Sequence, residues 1–190
     1  LKGEFTMNYL KDFIRILSGN FDNHEQFKEM QNNGAVSFPF AKHINTVCND
    51  KIMDLPQNFE GYFLLEESYY TTNGNTHASP HLFLFTEEDD GVKLTSYEMP
   101  TGYNKDSFTY DQLNPIDYNS LTVSQKFTPA IYKQNNGIWE GGSVSMFSPI
   151  LKFTLYERFS EEQLEVSESM EVNGKRTFGY DEPIIYKRVK

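Results

Sequence analysis

The sequence predicts a mainly β protein of one domain, in which an antiparallel meander closes into a barrel after a helical N-terminal segment. The chain of 190 residues contains 16 Phe and 12 Tyr, and aromatic residues favour pleated, half-buried strands over helix interiors. Asn-Gly and Asp-Gly dipeptides separate its apolar runs, and these dipeptides suit the tight turns of hairpins. A meander of about eight strands leaves two exposed edges unless it closes, so a barrel is expected.

The first part of the chain carries the period of helices. Apolar residues recur at helical spacing between positions 10 and 17, which predicts an amphipathic helix. A second helix is expected to begin at Asp22 or Asn23, where a side-chain oxygen can cap free backbone amides. Phe27 and Met30 would then face the core.

Beyond residue 60 the period of the apolar residues changes to two, which is the mark of strands. The segment 100–128 is the least patterned, and such a connection either covers a barrel mouth or forms a plain surface loop. The expected strands are 61–70, 81–85, 92–99, 128–134, 138–146, 151–156, 163–171 and 184–188, and the expected turns are Asn73-Gly74, Asp90-Gly91, Asn136-Gly137 and Asn173-Gly174.

Charge and cysteine content argue against several classes of protein. A formal net charge of −10 repels phosphate backbones and anionic lipid headgroups, so neither nucleic acid nor a membrane is an expected partner. Cys48 is the only cysteine, which excludes an intrachain disulfide and suits a reducing cytoplasm. Charged residues scattered through positions 1–18 break any signal or membrane segment, so a cytoplasmic location is expected.

The expected domain covers residues 7–190. Met7 is a candidate native start, and residues 1–6 would then be left from cloning or belong to an upstream extension. One domain of this length is ordinary for a barrel.

Two adjacent acids interrupt an apolar strand pattern at Glu66 and Glu67. Successive strand residues point to opposite faces, so one of the two should point inward. A carboxylate inside a barrel is costly unless it is paired. It either anchors a ligand or is satisfied by Arg, Tyr or water.

Aromatic residues supply the other candidate site. They would line a pocket for a flat or apolar ligand, or simply pack the core. The residues concerned are Tyr62, Tyr69, Tyr70, Tyr97 and Trp139.

Other chemistry is weakly supported, and neither a metal nor a cofactor is expected. His77 and His81 are separated by Pro80, which prevents a helix that would place both on one face. His43 and Cys48 lack the orienting group and oxyanion site that a nucleophilic pair needs.

A series of short motifs runs through nearly the whole chain. The motifs are residues 17–23 with Gln26, Pro39-Phe40 with His43-Ile44, residues 66–69, Trp139 with Gly141, residues 162–164 ending at Ser167, and Phe178-Gly179 followed by Pro183 and Tyr186. In order and spacing, this series resembles the CpeT/CpcT-type phycobiliprotein chromophore lyase family.

The resemblance implies a calycin-like barrel, related in architecture to lipocalins and fatty-acid-binding proteins. It also implies that the barrel holds an open-chain tetrapyrrole and presents it to a cysteine of a partner protein. The expected ligand site is then the interior near Glu66, Tyr69, His43, Trp139 and Tyr62. Positioning of the ligand, rather than an internal nucleophile, would supply any acceleration.

Three departures from the family pattern change this expectation. The family continues from a proline into an arginine-bearing segment, whereas here Pro80 is followed by the apolar run 81–85. Loss of guanidinium groups removes bidentate carboxylate recognition and favours a more apolar ligand, or none. Phe178 stands where the family has a late tryptophan, and the family's mid-chain cysteine is not at its matching place.

Two hypotheses follow. The first is a small-molecule-binding barrel for an apolar or tetrapyrrole-like ligand, with an acceptor protein as partner. The second is a non-catalytic interaction or structural domain whose barrel is filled by its own side chains, because small barrels often have room for little else.

Overall fold

A computed structural model describes residues 9–190, so the expected start at Met7 and the expected extension 1–6 lie outside the described residues. Two short helices precede most of the strands, and residues 49–51 and 118–120 form single 3₁₀ turns. The elements are α1 (Tyr9–Leu17), β1 (Gly19–Asp22), α2 (His24–Asn32), β2 (Phe40–Val47), β3 (Ile52–Met53), β4 (Tyr62–Thr72), β5 (Asn75–Glu88), β6 (Gly91–Tyr97), β7 (Ile116–Asp117), β8 (Ala130–Asn135), β9 (Ile138–Met146), β10 (Leu151–Phe159), β11 (Gln163–Val172), β12 (Lys175–Gly179) and β13 (Ile184–Arg188).

Ten strands form one closed antiparallel barrel in the order β1-β2-β4-β5-β6-β8-β9-β10-β11-β13. The first and last strands of the ring pair with each other, with Phe21 opposite Arg188. The closed barrel predicted from the hairpins is therefore confirmed. Outside the ring, β12 extends a hairpin from β11, and β3 and β7 form a small parallel pair.

The Asn-Gly turns take the conformation that the sequence predicts. Each of the three asparagines has a φ of 51° and is followed by a glycine with positive φ. The fourth turn is displaced by one residue, because its positive φ lies at Asp89 and Gly91 begins β6. Gly91 is required for another reason, since a Cβ at this position would meet the Tyr132 carbonyl of the neighbouring strand.

The ring contains two strands that the sequence did not predict, β1 and β2, so the expected number of strands was too low. β1 has only 4 residues, which is too short to show a period. In β2 the inward residues include His43 and Asn45, and these polar side chains hide the apolar alternation of a strand. The expected strand 81–85 also begins earlier, since β5 starts at Asn75 and continues through Pro80.

The α1 helix closes one end of the barrel. Its apolar residues are buried, and the Phe13 ring lies 5.2 Å from the Phe85 ring and 5.0 Å from the Trp139 and Phe159 rings. Within the part of the chain that the structure describes, no helix has both the length and the apolar character needed to span a membrane.

The α2 helix lies against the outside of the barrel and has no buried residue. Met30 is half-buried and packs against the core cluster, as expected, whereas Phe27 lies outside that cluster and contacts the Phe40 ring. Gln26 explains the position of the helix, because it donates a hydrogen bond to Pro183 and accepts one from Ile185, which pins α2 along β13.

A second apolar cluster lies outside the barrel, against β4 and β5. Phe63, Leu65 and Leu82 face outward and are buried beneath Phe108 and Leu113. The segment 100–128 therefore mostly covers this outer face, because both faces of these strands are apolar. Only its last residues, 126–128, reach the barrel mouth.

Candidate ligand-binding cavity

The half of the barrel away from α1 encloses a cavity of about 520 Å³. Apolar side chains surround its mouth, and polar side chains from β2, β4, β5, β10 and β11 form its floor. The floor residues with carboxyl or imidazole side chains are His43, Glu66, His81, Glu157 and Glu168.

Three phenylalanines and one lysine form part of the mouth. The Phe127 ring lies 5.1 Å from the Phe147 ring, and Phe147 stacks on Phe153 at 5.5 Å. The Lys126 Nζ lies 4.2 Å from the centre of the Phe147 ring, a distance suited to a cation–π contact. An apolar ligand body would therefore meet aromatic faces as it enters.

The β4 pleat places Glu66 inside the barrel and Glu67 outside it. Glu66 Oε1 accepts a hydrogen bond from the Ser68 hydroxyl at 3.0 Å, and Glu66 Oε2 lies 3.3 Å from His43 Nδ1. Glu67 instead accepts hydrogen bonds from the Tyr69 hydroxyl and the Tyr110 amide. Only Glu66 therefore contributes to the cavity.

His43 and Glu66 form a buried ion pair. Burial by itself would lower the pKa of His43, but the facing carboxylates, chiefly that of Glu66, raise it above its usual value. Burial would raise the pKa of Glu66, yet His43 lowers it to about 2. The two nitrogens of His43 nevertheless have no hydrogen-bond partner among the described residues, because the approach to Glu66 is poorly aligned.

Two further carboxyl groups complete the floor. Burial, and then the charge of Glu66, raises the pKa of Glu157 to about 7, although Glu157 accepts a hydrogen bond from the Tyr132 hydroxyl. Burial and Glu66 likewise raise the pKa of Glu168 to about 6. Both residues are half-buried and line the cavity.

The structure brings His43 and Glu66 together and places the other three expected site residues elsewhere. Tyr69 lies on the outer face with Glu67. Trp139 is buried at the α1 end against Phe13, and Tyr62 packs at the edge of that core. These three do not line the cavity; a binding role for them stays a prediction.

Sequence reasoning missed Glu157, Glu168 and Lys126, and it considered His81 only as a metal ligand, but all four line the cavity. A signal for Glu157 is present in β10, where the inward residues alternate as Phe153, Leu155, Glu157 and Phe159. An acid that interrupts an apolar stripe at a period of two indicates a polar group inside the barrel.

Metal binding and thiol chemistry find no support in residues 9–190. No three His, Cys, Asp or Glu side chains in that range are arranged to hold a metal ion. Burial raises the pKa of the Cys48 thiol to about 12, which keeps it in the unreactive neutral form.

Compared with known protein families and with curated proteins, this chain matches none. The chemistry of the cavity is therefore the basis for assigning a function.

Proposed function

We propose that this chain is a small-molecule-binding barrel, which holds an apolar-bodied ligand in its cavity and presents it to a partner protein at the open mouth. The observation that carries the proposal is the cavity of about 520 Å³. This volume lies in the range of small-molecule pockets, roughly 300–1,000 Å³. Aromatic walls with a few converging polar groups are also typical of such pockets.

The alternative, a structural barrel filled by its own side chains, describes only one end of the molecule. At the α1 end Phe13 fills the interior together with Tyr132, Trp139 and Phe159. At the other end, inward residues such as Ser96 and Ser143 are small and leave the space open. Small inward side chains at the end away from α1 therefore favour the ligand-binding proposal.

The resemblance to chromophore lyases and calycins makes an open-chain tetrapyrrole one ligand to consider. The floor disfavours the deep insertion of propionate groups, because Glu157 and Glu168 would repel them. His81 offers no compensating charge, since burial lowers its pKa. A tetrapyrrole would enter with its propionates at the mouth, where Lys126 is the nearby cation.

The test is retention of a ligand by the full chain and by two variants that differ in one strand. Ser143 faces the cavity, whereas Val144 is 53% exposed on the outside of the same strand. Purified protein is incubated separately with biliverdin, haem, fatty acids, and apolar amines and alcohols, and native mass and absorbance are then recorded. We expect one ligand per chain in the wild type and in Val144→Phe, and its loss in Ser143→Phe.

Retention of no compound at micromolar concentration would remove the proposal in favour of the structural barrel. Retention that is equal in Ser143→Phe and Val144→Phe would place the ligand outside the cavity and would also contradict it.

A further inference from the structure

We infer that the cavity binds a protonated amine carried by an apolar, aromatic-sized body, with the ammonium group against Glu157 and Glu168 and the body between the aromatic rings of the mouth. The inference rests on the proposed function and adds the chemical class of its ligand.

The floor of the cavity carries more negative than positive groups. Of its three carboxyl groups, Glu66 is paired with His43. Glu157 accepts a hydrogen bond only from the neutral Tyr132 hydroxyl, and Glu168 has no hydrogen-bond partner in residues 9–190. A cation at this position would compensate two carboxylates that the protein leaves without a counter-ion.

His43 is an independent sign that a polar group belongs on the floor. His43 is 3% exposed, and its side chain lines the cavity. Neither ring nitrogen makes a hydrogen bond to the described residues. Buried polar atoms are rarely left unpartnered, because the loss of hydration is then uncompensated. An ammonium head beside His43 would favour the neutral ring, whose Nδ1 stays directed at Glu66 and whose Nε2 then accepts a hydrogen bond from the head.

The charge of the ligand head follows from its neighbours. A carboxylate or phosphate on the floor would face Glu157 and Glu168 at close range, and the repulsion between like charges is unfavourable in a partly buried site. Among residues 9–190, the one lysine that lines the cavity is Lys126, at the mouth. An anionic head would therefore have to stay at the mouth, whereas a cationic head is attracted to the floor.

The mouth determines the body of the ligand. Its walls are the phenyl rings of Phe127, Phe147 and Phe153 with the side chains of Leu155 and Met170. Burial of a ring or a short hydrocarbon chain against these surfaces would contribute favourable binding free energy, so the amine should carry such a group.

Binding of the amine should be linked to protons. The charged or titratable groups that face the floor are His43 (β2), Glu66 and Tyr70 (β4), His81 (β5), Tyr132 (β8), Glu157 (β10), Glu168 (β11) and Tyr186 (β13), with Lys126 and Glu182 at the mouth. Because the pKa values of Glu157 and Glu168 are raised to about 7 and about 6, an arriving ammonium favours their ionised forms. The amine affinity should therefore increase from pH 5 to pH 8, with release of protons.

The test compares three probes that share one body and differ in the head: phenylbutylamine, phenylbutanol and phenylbutyric acid. Titration calorimetry on the full chain at pH 8 should show the amine binding at least tenfold more tightly than the alcohol, with the acid weakest. Glu157→Gln/Glu168→Gln and the single variant Glu168→Gln should lose that preference and keep the alcohol affinity.

The matched control is Glu165→Gln, which lies in the same strand as Glu168 and takes part in an ion pair with Arg158 on the outer face. This variant should keep the amine preference. Thermal unfolding verifies that each variant is folded, and Glu168→Gln removes no hydrogen bond within residues 9–190.

An amine that binds no more tightly than the alcohol or the acid would overturn the inference, and so would an amine preference that survives in the folded Glu168→Gln and double variants. In either case retention of another ligand would leave the proposed function standing, whereas loss of all ligand retention would remove both.

Discussion

Glu66 and Glu67 are neighbours in the chain, but the pleat of β4 gives them opposite environments. Glu66 faces His43 across the cavity floor, whereas Glu67 holds the outer segment through the Tyr110 amide. Because strand side chains alternate, a step of one residue along the chain separates a buried ion pair from a structural hydrogen bond. The same alternation places Glu157 inside the barrel and Arg158 outside it.

Glu157 should make the stability of the protein depend on pH. Its folded-state pKa is raised from 4.5 to about 7, so the folded protein binds this proton more tightly than the unfolded chain. The resulting contribution to stability is complete below pH 4.5 and is lost as the pH rises through 7. The difference corresponds to at most about 3 kcal/mol. Urea denaturation should therefore show a free energy of unfolding that falls from pH 5 to pH 8 in the wild type and falls less in Glu157→Gln.

The exposed variant Glu140→Gln serves as the control, since Glu140 lies on the outer face beside Arg158. If wild type and Glu157→Gln showed parallel pH profiles, the carboxyl would not titrate as its burial requires.

Among the elements, α1 decides which end of the barrel is closed. Its apolar face enters the barrel, and its last carbonyl groups need partners because a helix end leaves them unpaired. Arg188 of β13 donates hydrogen bonds to the carbonyls of Ile16 and Ser18, each at 2.7 Å. Asn45 of β2 donates to the Leu17 carbonyl at 2.9 Å. The helix is therefore held by packing on one side and by two strands at its end.

Removal of the Phe13 ring should strongly destabilise the protein. Phe13 is 0% exposed and touches four aromatic rings, and truncation of such a residue costs about 3–5 kcal/mol. Phe13→Ala should show this loss in urea denaturation at constant pH. Val144→Ala, at an exposed position, should change stability by no more than about 0.5 kcal/mol. Equal effects of the two changes would show that α1 does not close the barrel in solution.

At the scale of the whole molecule, the number of hydrogen bonds between neighbouring strands differs from one part of the barrel to another. The hairpin of β4 and β5 keeps its register from Tyr62 opposite Phe85 to Thr72 opposite Asn75. At the join between β1 and β13, Phe21 and Asp22 pair with Arg188 and Lys187, and the Val189 amide donates to the Asn20 carbonyl at 2.9 Å. Fewer ladder hydrogen bonds hold the join, so local opening should begin there.

Hydrogen exchange monitored by mass spectrometry tests this expectation. Peptides that cover β1 and β13 should take up deuterium sooner than peptides that cover β4 and β5, because opening of the short join requires the loss of fewer hydrogen bonds. Uptake at the same rate in both regions would instead describe a ring that opens as one unit.

The sequence by itself determined the local geometry of this protein. Three of the four turn dipeptides specify hairpins, and the period of two specifies which residues of a strand share a face. From these local rules the closed antiparallel barrel follows, as does the requirement that one of Glu66 and Glu67 points inward. Strand pairs formed by hairpins are neighbours in the chain, so their signals lie within short stretches of sequence.

Only the tertiary structure decided which residues meet inside the barrel. β10 and β11 lie far from β4 in sequence, yet closure places Glu157 and Glu168 inside the barrel near Glu66, where burial and then the charge of Glu66 raise their pKa values. The inner and outer faces of β4 both carry apolar residues, with Leu64 inside and Leu65 outside, so alternation alone does not identify the inner face. The physical reason is that the environment of a strand face is set by what packs against it, and these partners come from distant parts of the chain.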